Sequence, residues 1–400
     1  MKIVAIVAEY NPFHYGHLYL VEKIREHFGE DTAIVAIMSG NFTQRGELAL
    51  FNKIERAKCA LACGVNLILE LPFPFSMSSA EYFSRSAIHI ADSLGVVDAL
   101  AFGSECGNLN DLLRVNERCS SAEFLSLRSK LIQTEKDLGF ATIHEKTYRT
   151  LYNDRAFTFS PNNILGLMYL QALEAFGSTI EPFTIRRIGN GYNDIQLTHK
   201  FASASAIREG LVQNNENVLD FCPPPTRCAL TNAKVQGEML LNATPLDTAV
   251  ISHLLLNASS PLDIHEGEDG LYKRLLNNAK KANTISGLIA LSETKKYTKA
   301  RIRRVIWNSL VGVTSSDVRT LPQYTQLLAA DSLGLAILKK AKKTATIQIL
   351  TKPSRYTLQN EALKRQVELS QKMDFFYYLA LGGEHIASEA VTFTPFIKKG

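Results

Sequence analysis

Two histidines three residues apart, His14 and His17, bracket Gly16 in the stretch VAEYNPFHYGHLYLVEKI (7–24). This trio suits phosphate chemistry. Glycine lets backbone approach a ligand closely. A helix starting there would turn unpaired N–H groups and the positive end of its dipole toward an anion. Imidazoles from the loop and the first turn could reach one α-phosphate and stabilise the charge that builds on it as pyrophosphate leaves. Taken alone, the stretch is equally a strand–loop–helix turn holding two hydrogen-bonded histidines.

Further candidates lie at the ends of other predicted elements. Gly103, in AFGSE (101–105), sits at a strand tip, where a base or ribose could lie against backbone. SPNNI puts Asn162 and Asn163 at a helix start, and IRRIGNGYND (185–194) puts Arg186 and Arg187 at a strand end. Neighbouring arginines usually face water. SASAIR (203–208) places Ser205 and Arg208 at another helix start, a cradle for β- and γ-phosphates. Each is weak by itself; their common placement at one edge of one sheet is the signal. No Cys–His or Ser–His nucleophile pair stands out.

The elements that would position them alternate. KIVAIVA (2–8), AIVAIM (33–38), VNLILELP (65–72) and VDALAFG (97–103) are apolar runs, as expected of strands covered on both faces. Helices are expected between them, from about Gly16 to Phe28, over 52–64 and over 79–94. This βαβα rhythm predicts a parallel, Rossmann-like α/β sheet, which binds ligands beyond the carboxyl ends of its strands. Helices follow to about 150, with a capped helix over 160–177 and a strand over 179–188. FCPPPTRC (221–228) is expected to be irregular, because prolines fix the backbone and remove donors. We place a domain boundary there. Residues 1–220 form the catalytic domain, and 221–400 a mostly helical region with a small α+β unit after about 320.

The chain's 400 residues, 46% hydrophobic and 21% charged, are those of a globular protein. No window has the length of uncharged apolar sequence that a membrane span needs, and Glu9 interrupts the N-terminal run too early for a signal peptide. Six scattered cysteines argue for a reducing cytoplasm and against a disulfide framework, and no spacing suggests a metal site. The net charge of +5 permits a polyanionic partner without demanding one. Its distribution is more telling. Between Leu271 and Ile306 lie Lys273, Arg274, Lys280, Lys281, Lys295, Lys296, Lys299, Arg301, Arg303 and Arg304 against a lone Glu293. Tyr272 and Tyr297 are interleaved and could stack on bases. LKKAKK (338–343) adds a second cluster. A solvated helix face is the plainer reading of either cluster; the density of the first favours RNA.

HYGH together with SASAIR resembles the His-x-Gly-His and Ser-x-x-x-Ile-Arg pair of the nucleotidyltransferase superfamily. AEYNPFHYGHLYL, MSGNFTQRGELA, NLILELPFPFS, FGSE, SPNNILGLMYLQAL, RRIGNGYND and ASASAIR occur in the order seen in the bacterial tRNA(Met) cytidine acetate ligase family. The likeness covers most of 1–210 and thins toward the C-terminus. Asn193 departs from the family's histidine.

The resemblance implies a two-step ligase. Acetate and ATP would form acetyl-adenylate, and the N4 amine of the wobble cytidine of elongator tRNA(Met) would take the acetyl group. It implies an ATP site at Val7, Ala8, Glu9, Tyr10, Asn11, Pro12, Phe13, His14, Tyr15, Gly16, His17, Leu18, Tyr19 and Leu20, with Gly103, Asn162, Arg186 and Arg187. His14 and His17 would be the catalytic pair, Ser39, Gly40 and Asn41 would serve acetate or phosphate, and Mg²⁺ would accompany the nucleotide. No membrane or protein partner is expected. A small-molecule adenylyltransferase of the same superfamily, or a non-catalytic RNA-binding protein on the same scaffold, would share part of the pattern.

Overall fold

The computed structural model describes residues 1–135, 137–188, 201–257, 263–351, 360–382 and 394–398. The first half runs β1 (Ile3–Ala8), α1 (Tyr15–Phe28), β2 (Ala33–Ser39), α2 (Lys53–Ala62), β3 (Leu67–Leu71), α3 (Ala80–Ser93), β4 (Ala99–Ser104), α4 (Leu109–Ser120), α5 (Ala122–Thr134), α6 (Phe140–Tyr152), α7 (Pro161–Ala175), β5 (Glu181–Arg186) and α8 (Ala204–Val212). The second half runs α9 (Pro224–Gln236), α10 (Asp247–Leu256), α11 (Leu271–Ala279), α12 (Ile285–Ser292), α13 (Lys299–Val311), α14 (Ser315–Arg319), β6 (Tyr324–Ala330), α15 (Ser332–Thr344), β7 (Gln348–Leu350), α16 (Glu361–Leu381) and β8 (Phe396–Ile397).

The sheet order is β5-β4-β1-β2-β3-β6-β7, with β8 also on β6. The five strands β1–β5 are parallel, as the alternating pattern predicts. Chain order reverses at β1, whose neighbours are β2 and β4, so the crevice for a ligand opens at the carboxyl ends of β1 and β4. Alternate residues of β1 explain its unbroken hydrophobicity. Ile3 and Ala5 join the core under α3 and α7, whereas Val4 and Ile6 join the core under α1 and α2. Pro182 is tolerated because β5 is an edge strand.

Two expectations change. The prolines do not form an irregular boundary: Pro223 caps α9 and Pro224 opens it, a position where the missing N–H has no partner to lose. Cys222 beside them is fully buried in the core shared with α2. The strands after 320 do not stand apart either. β6 pairs antiparallel with β3, so the C-terminal half completes the sheet begun by the N-terminal half. A third core, around Trp307, joins α10–α13 and α16 to Phe42 and Leu48 of the loop after β2.

Candidate functional site

His14 is the N-cap of α1. Its Nδ1 accepts from the Gly16 N–H (3.0 Å), while His17 Nδ1 reaches back to accept from the His14 N–H (3.2 Å). The two histidines thus build the reciprocal box that Ser and Glu usually make. Glycine is required at 16 because a Cβ there would lie 2.8 Å from His14 Cε1. The rings stack with centroids 3.8 Å apart. With both Nδ1 atoms accepting, the proton of each neutral ring is on Nε2. Burial pushes the His14 pKa down to about 3, helped by the charges of Arg187 and Arg208. His17 is also held well below the ordinary range, by burial, His14 and Arg187. The helix therefore begins with two uncharged N–H donors beside two arginines, an arrangement suited to an anion.

The rest of the 7–20 stretch divides. Tyr10 and Phe13 are buried, and Leu18 and Leu20 pack on the same core. Tyr10 takes φ 49°, a strained region for a bulky residue, and Asn11–Pro12 is cis. Tyr19 packs on Phe201 (5.9 Å). Asn11 Oδ1 accepts from Leu50 N (2.8 Å), and Glu9 Oε1 from Gln44 N (2.7 Å). Arg56, fully buried and absent from the sequence-based candidates, donates to the carbonyls of Glu9, Ser39, Gly40 and Phe51. It ties the tips of β1 and β2 together. Its signal was hidden, because an arginine inside a helical stretch reads as solvated.

Across the crevice, Arg187 and Arg186 part company. Arg187 lies over Gly103, where a Cβ would sit 2.9 Å from its Cγ, and its Nη1 donates to Asn162 Oδ1 (3.3 Å). Arg186 packs instead against Gly107. The start of α7, where Asn162 and Asn163 sit, is filled by Glu105. That carboxylate accepts from Ser160 Oγ (2.7 Å), Asn162 Nδ2 (2.7 Å) and Asn163 N (2.8 Å). Burial pushes the Glu105 carboxyl up, but these bonds win and hold it below its ordinary value. Asn162 thus bridges Glu105 and Arg187. Glu105 was legible as the last residue of AFGSE, but nothing in the sequence pairs it with residues 160–163.

Arg208, on α8, donates to the Asn11 carbonyl (2.9 Å) and to Glu47 Oε2 (2.7 Å), with Ser205 Oγ at 3.4 Å. Ser39, Gly40 and Asn41 lie at the tip of β2 and are buried. Asn41 is committed, donating to Asp374 Oδ1 (2.9 Å) and accepting from Lys53 N (2.8 Å). The Ser39 hydroxyl is buried with no hydrogen-bond partner among the described residues. Beside them Lys53 Nζ is buried between Glu70 (2.9 Å) and Asp374 (2.6 Å), another cluster the sequence concealed. GNGYND, with Asn193, lies outside the described residues.

The crevice thus joins a glycine-spaced histidine pair to Arg187, just after β5, and Arg208 of α8. A family model described as HIGH Nucleotidyl Transferase matches residues 1–389. The chain also aligns over 395 residues, at 34% identity and 92% coverage of each partner, with the tRNA(Met) cytidine acetate ligase of Acetivibrio thermocellus. This chain belongs to that ligase family. The ligase of Caldanaerobacter subterraneus is 35% identical over 365 residues, covering 89% of this chain and 90% of that one. Crystal structures of Thermotoga maritima TmcAL superpose over 100% of both chains, the apo form with a TM-score of 0.92 at 28% identity. The form bound with α-thio ATP has a TM-score of 0.90 at 27% identity.

The basic stretch of this family member is less one-signed than its sequence window implied. Acidic residues just upstream, and one from the β2 loop, fold onto it. Arg304 pairs with Glu266 (2.6 Å), Arg303 with Glu47 (3.1 Å), Arg301 with Glu268 and Asp269 (3.7 Å each), Lys296 with Asp269 (3.9 Å) and Lys299 with Glu293 (3.6 Å). Arg274 caps the end of α12 through the Ser292 carbonyl (2.9 Å). Lys273, Lys280, Lys281 and Lys295 are exposed and carry no ion pair among the described residues. The second cluster, on α15, is remote from the crevice. That helix is anchored at both ends to the loops entering β3 and β4, through Asn66–Asp331 (2.9 Å) and Thr344 to the Leu94 carbonyl (2.8 Å). No described helix is long and apolar enough to cross a membrane.

Proposed function

We propose that the crevice activates acetate with ATP and that the acetyl group passes to the wobble cytidine of elongator tRNA(Met). An acetate oxygen attacks the α-phosphorus, the bond to the β-phosphate oxygen breaks, and pyrophosphate leaves acetyl-adenylate. The cytidine N4 then attacks the acetyl carbon. The new C–N bond forms, the acyl C–O bond to AMP breaks, and N4 loses a proton. Cytosine's exocyclic amine is a weak nucleophile, so a mixed anhydride is a suitable donor.

The observation that carries this reading is the neutral, stacked His14–His17 pair at the start of α1. Both Nε2–H groups would donate to α-phosphate oxygens, and being fixed by Nδ1 bonds they need no reorganisation as charge develops. Arg187, positioned by Asn162 and given room by Gly103, would clamp the nucleotide from the β4–β5 side. Arg208, with Ser205 and the first N–H groups of α8, would hold the departing pyrophosphate. The unpaired Ser39 hydroxyl is the polar atom we assign to acetate. Mg²⁺ would accompany the triphosphate and offset its charge. Residues 221–400 would supply the tRNA surface, with Lys273, Lys280, Lys281 and Lys295 as phosphate contacts. The work belongs to the cytoplasm, where tRNA is found.

The test is purified protein with labelled acetate, ATP-Mg²⁺ and bacterial tRNA. N4-acetylcytidine confined to one tRNA is the expected product. AMP transfer to a small acceptor would favour an adenylyltransferase, and tRNA retention without ATP turnover a binding protein.

A further inference from the structure

A groove of about 350 Å³ opens between α8, the loop after β2, residues 240–243 and helices α12 and α13. It adjoins the ATP crevice through Arg208, which lines it while also donating to the Asn11 carbonyl of the histidine loop. Its rim carries Val212 and Leu241, 48% and 39% exposed, which are large apolar residues left to water. The Trp307 ring lines it too. Its Nε1 is already committed to the Gly46 carbonyl (2.8 Å), so the ring offers the groove only apolar surface.

Among these walls stands one ion-paired polar edge. Glu47 gives one oxygen to Arg208 and the other to Arg303 Nη1 (3.1 Å), and all three side chains remain partly accessible, 22–29% exposed. A carboxylate oxygen keeps a second lone pair, and a guanidinium has five N–H groups. Glu47 and Arg303 therefore present a hydrogen-bond acceptor beside a donor. Cytosine offers the complement, a donor at N4 and an acceptor at N3; uracil offers the reverse. Adenine shows the same pair on a larger fused ring. The position of the groove also fits. It lies between the crevice that would hold the acyl donor and α13 of the basic half.

We propose that this groove receives the acceptor base, a cytosine turned out of an RNA loop, with Glu47 accepting from N4 and Arg303 donating to N3. The proposal rests on the preceding reading for the acceptor being a cytidine. Trp307 is the chain's one tryptophan and a built-in reporter. Intact protein saturated with α,β-methylene ATP is titrated with cytidine, uridine and adenosine while its emission is followed. A saturable response to cytidine, at least tenfold weaker for uridine and adenosine and lost in Glu47→Ala, is expected. No response, or equal responses, overturns the assignment. A second variant, Leu241→Trp, fills the rim. Acetyl transfer to tRNA should fall at least tenfold further than acetate-dependent ATP–pyrophosphate exchange; an equal fall in both overturns the assignment. If the native protein acetylates no tRNA, the proposed function fails, and the cytidine titration still decides the groove.

Discussion

The burial of His14 makes the fold acid-sensitive in a way that can be measured at one residue. Its folded pKa, about 3, lies below the ordinary imidazole value of 6.5. As pH falls, the unfolded chain takes up a proton that the native site refuses. Stability is therefore full above the unfolded value and is lost as pH drops from there toward about 3. At 1.36 kcal/mol per pH unit, the loss between pH 8 and pH 5 comes to about 2 kcal/mol from this group. His17 shifts in the same direction and adds to it. With an unfolding entropy of about 2 cal/mol/K per residue, the whole chain would lose roughly 2–3 °C in Tm from His14 alone.

His14→Asn is the informative change, because asparagine keeps an N-cap acceptor for the Gly16 N–H while removing the titrating ring. Urea unfolding of both proteins at pH 8 and pH 5 gives a double difference that cancels any constant effect of the substitution. The native protein should lose about 2 kcal/mol more than the variant over that interval. Pairs of pH dependences that agree within about 0.3 kcal/mol, well inside the value expected from linkage, would refute the buried neutral ring. Saturating ATP should blunt the native protein's acid loss, because phosphate charge beside the rings favours their protonated forms.

Four other outcomes follow from the same geometry. Lys53→Met leaves Glu70 and Asp374 facing each other in the core, and should cost about 3–5 kcal/mol in urea unfolding at pH 8. That loss should shrink at low pH, since burial already pushes the Glu70 carboxyl up to about 6. Gly103→Ala drives a methyl group against Arg187 and should raise the KM for ATP several-fold, with Arg187→Ala raising it further; ATP–pyrophosphate exchange reads both. Lys280→Ala with Lys281→Ala should lower the slope of log K against log salt for tRNA binding by about 0.7–0.9 for each phosphate no longer neutralised. Arg304→Ala should lower stability instead, because it strands Glu266.

What the sequence concealed has a common physical cause. The strands, their parallel order and the crevice edge were legible because each depends on local periodicity, and His14, Gly16 and His17 because they are neighbours on one turn. Glu105, Arg56, Glu47 and Lys53 act through partners as far as 321 residues away, and single-chain patterns carry no record of such pairings. The basic stretch shows how this misleads. Counted between Leu271 and Ile306 it is nearly one-signed, yet Glu266, Glu268, Asp269 and Glu47 neutralise Arg301, Arg303 and Arg304 from outside that window. The lysines left over are the ones to weigh for RNA. Arg303 and Arg304 serve instead to hold the β2 loop against α13, through Glu47 and the Gln44 carbonyl. Gly46 attests to the tightness of that seam, because at φ +70° a Cβ there would lie 2.6 Å from Arg303 Cβ. The seam brings Glu47 to Arg208 and Arg303 at once, so the residues that join the two halves of the chain also line the groove between them.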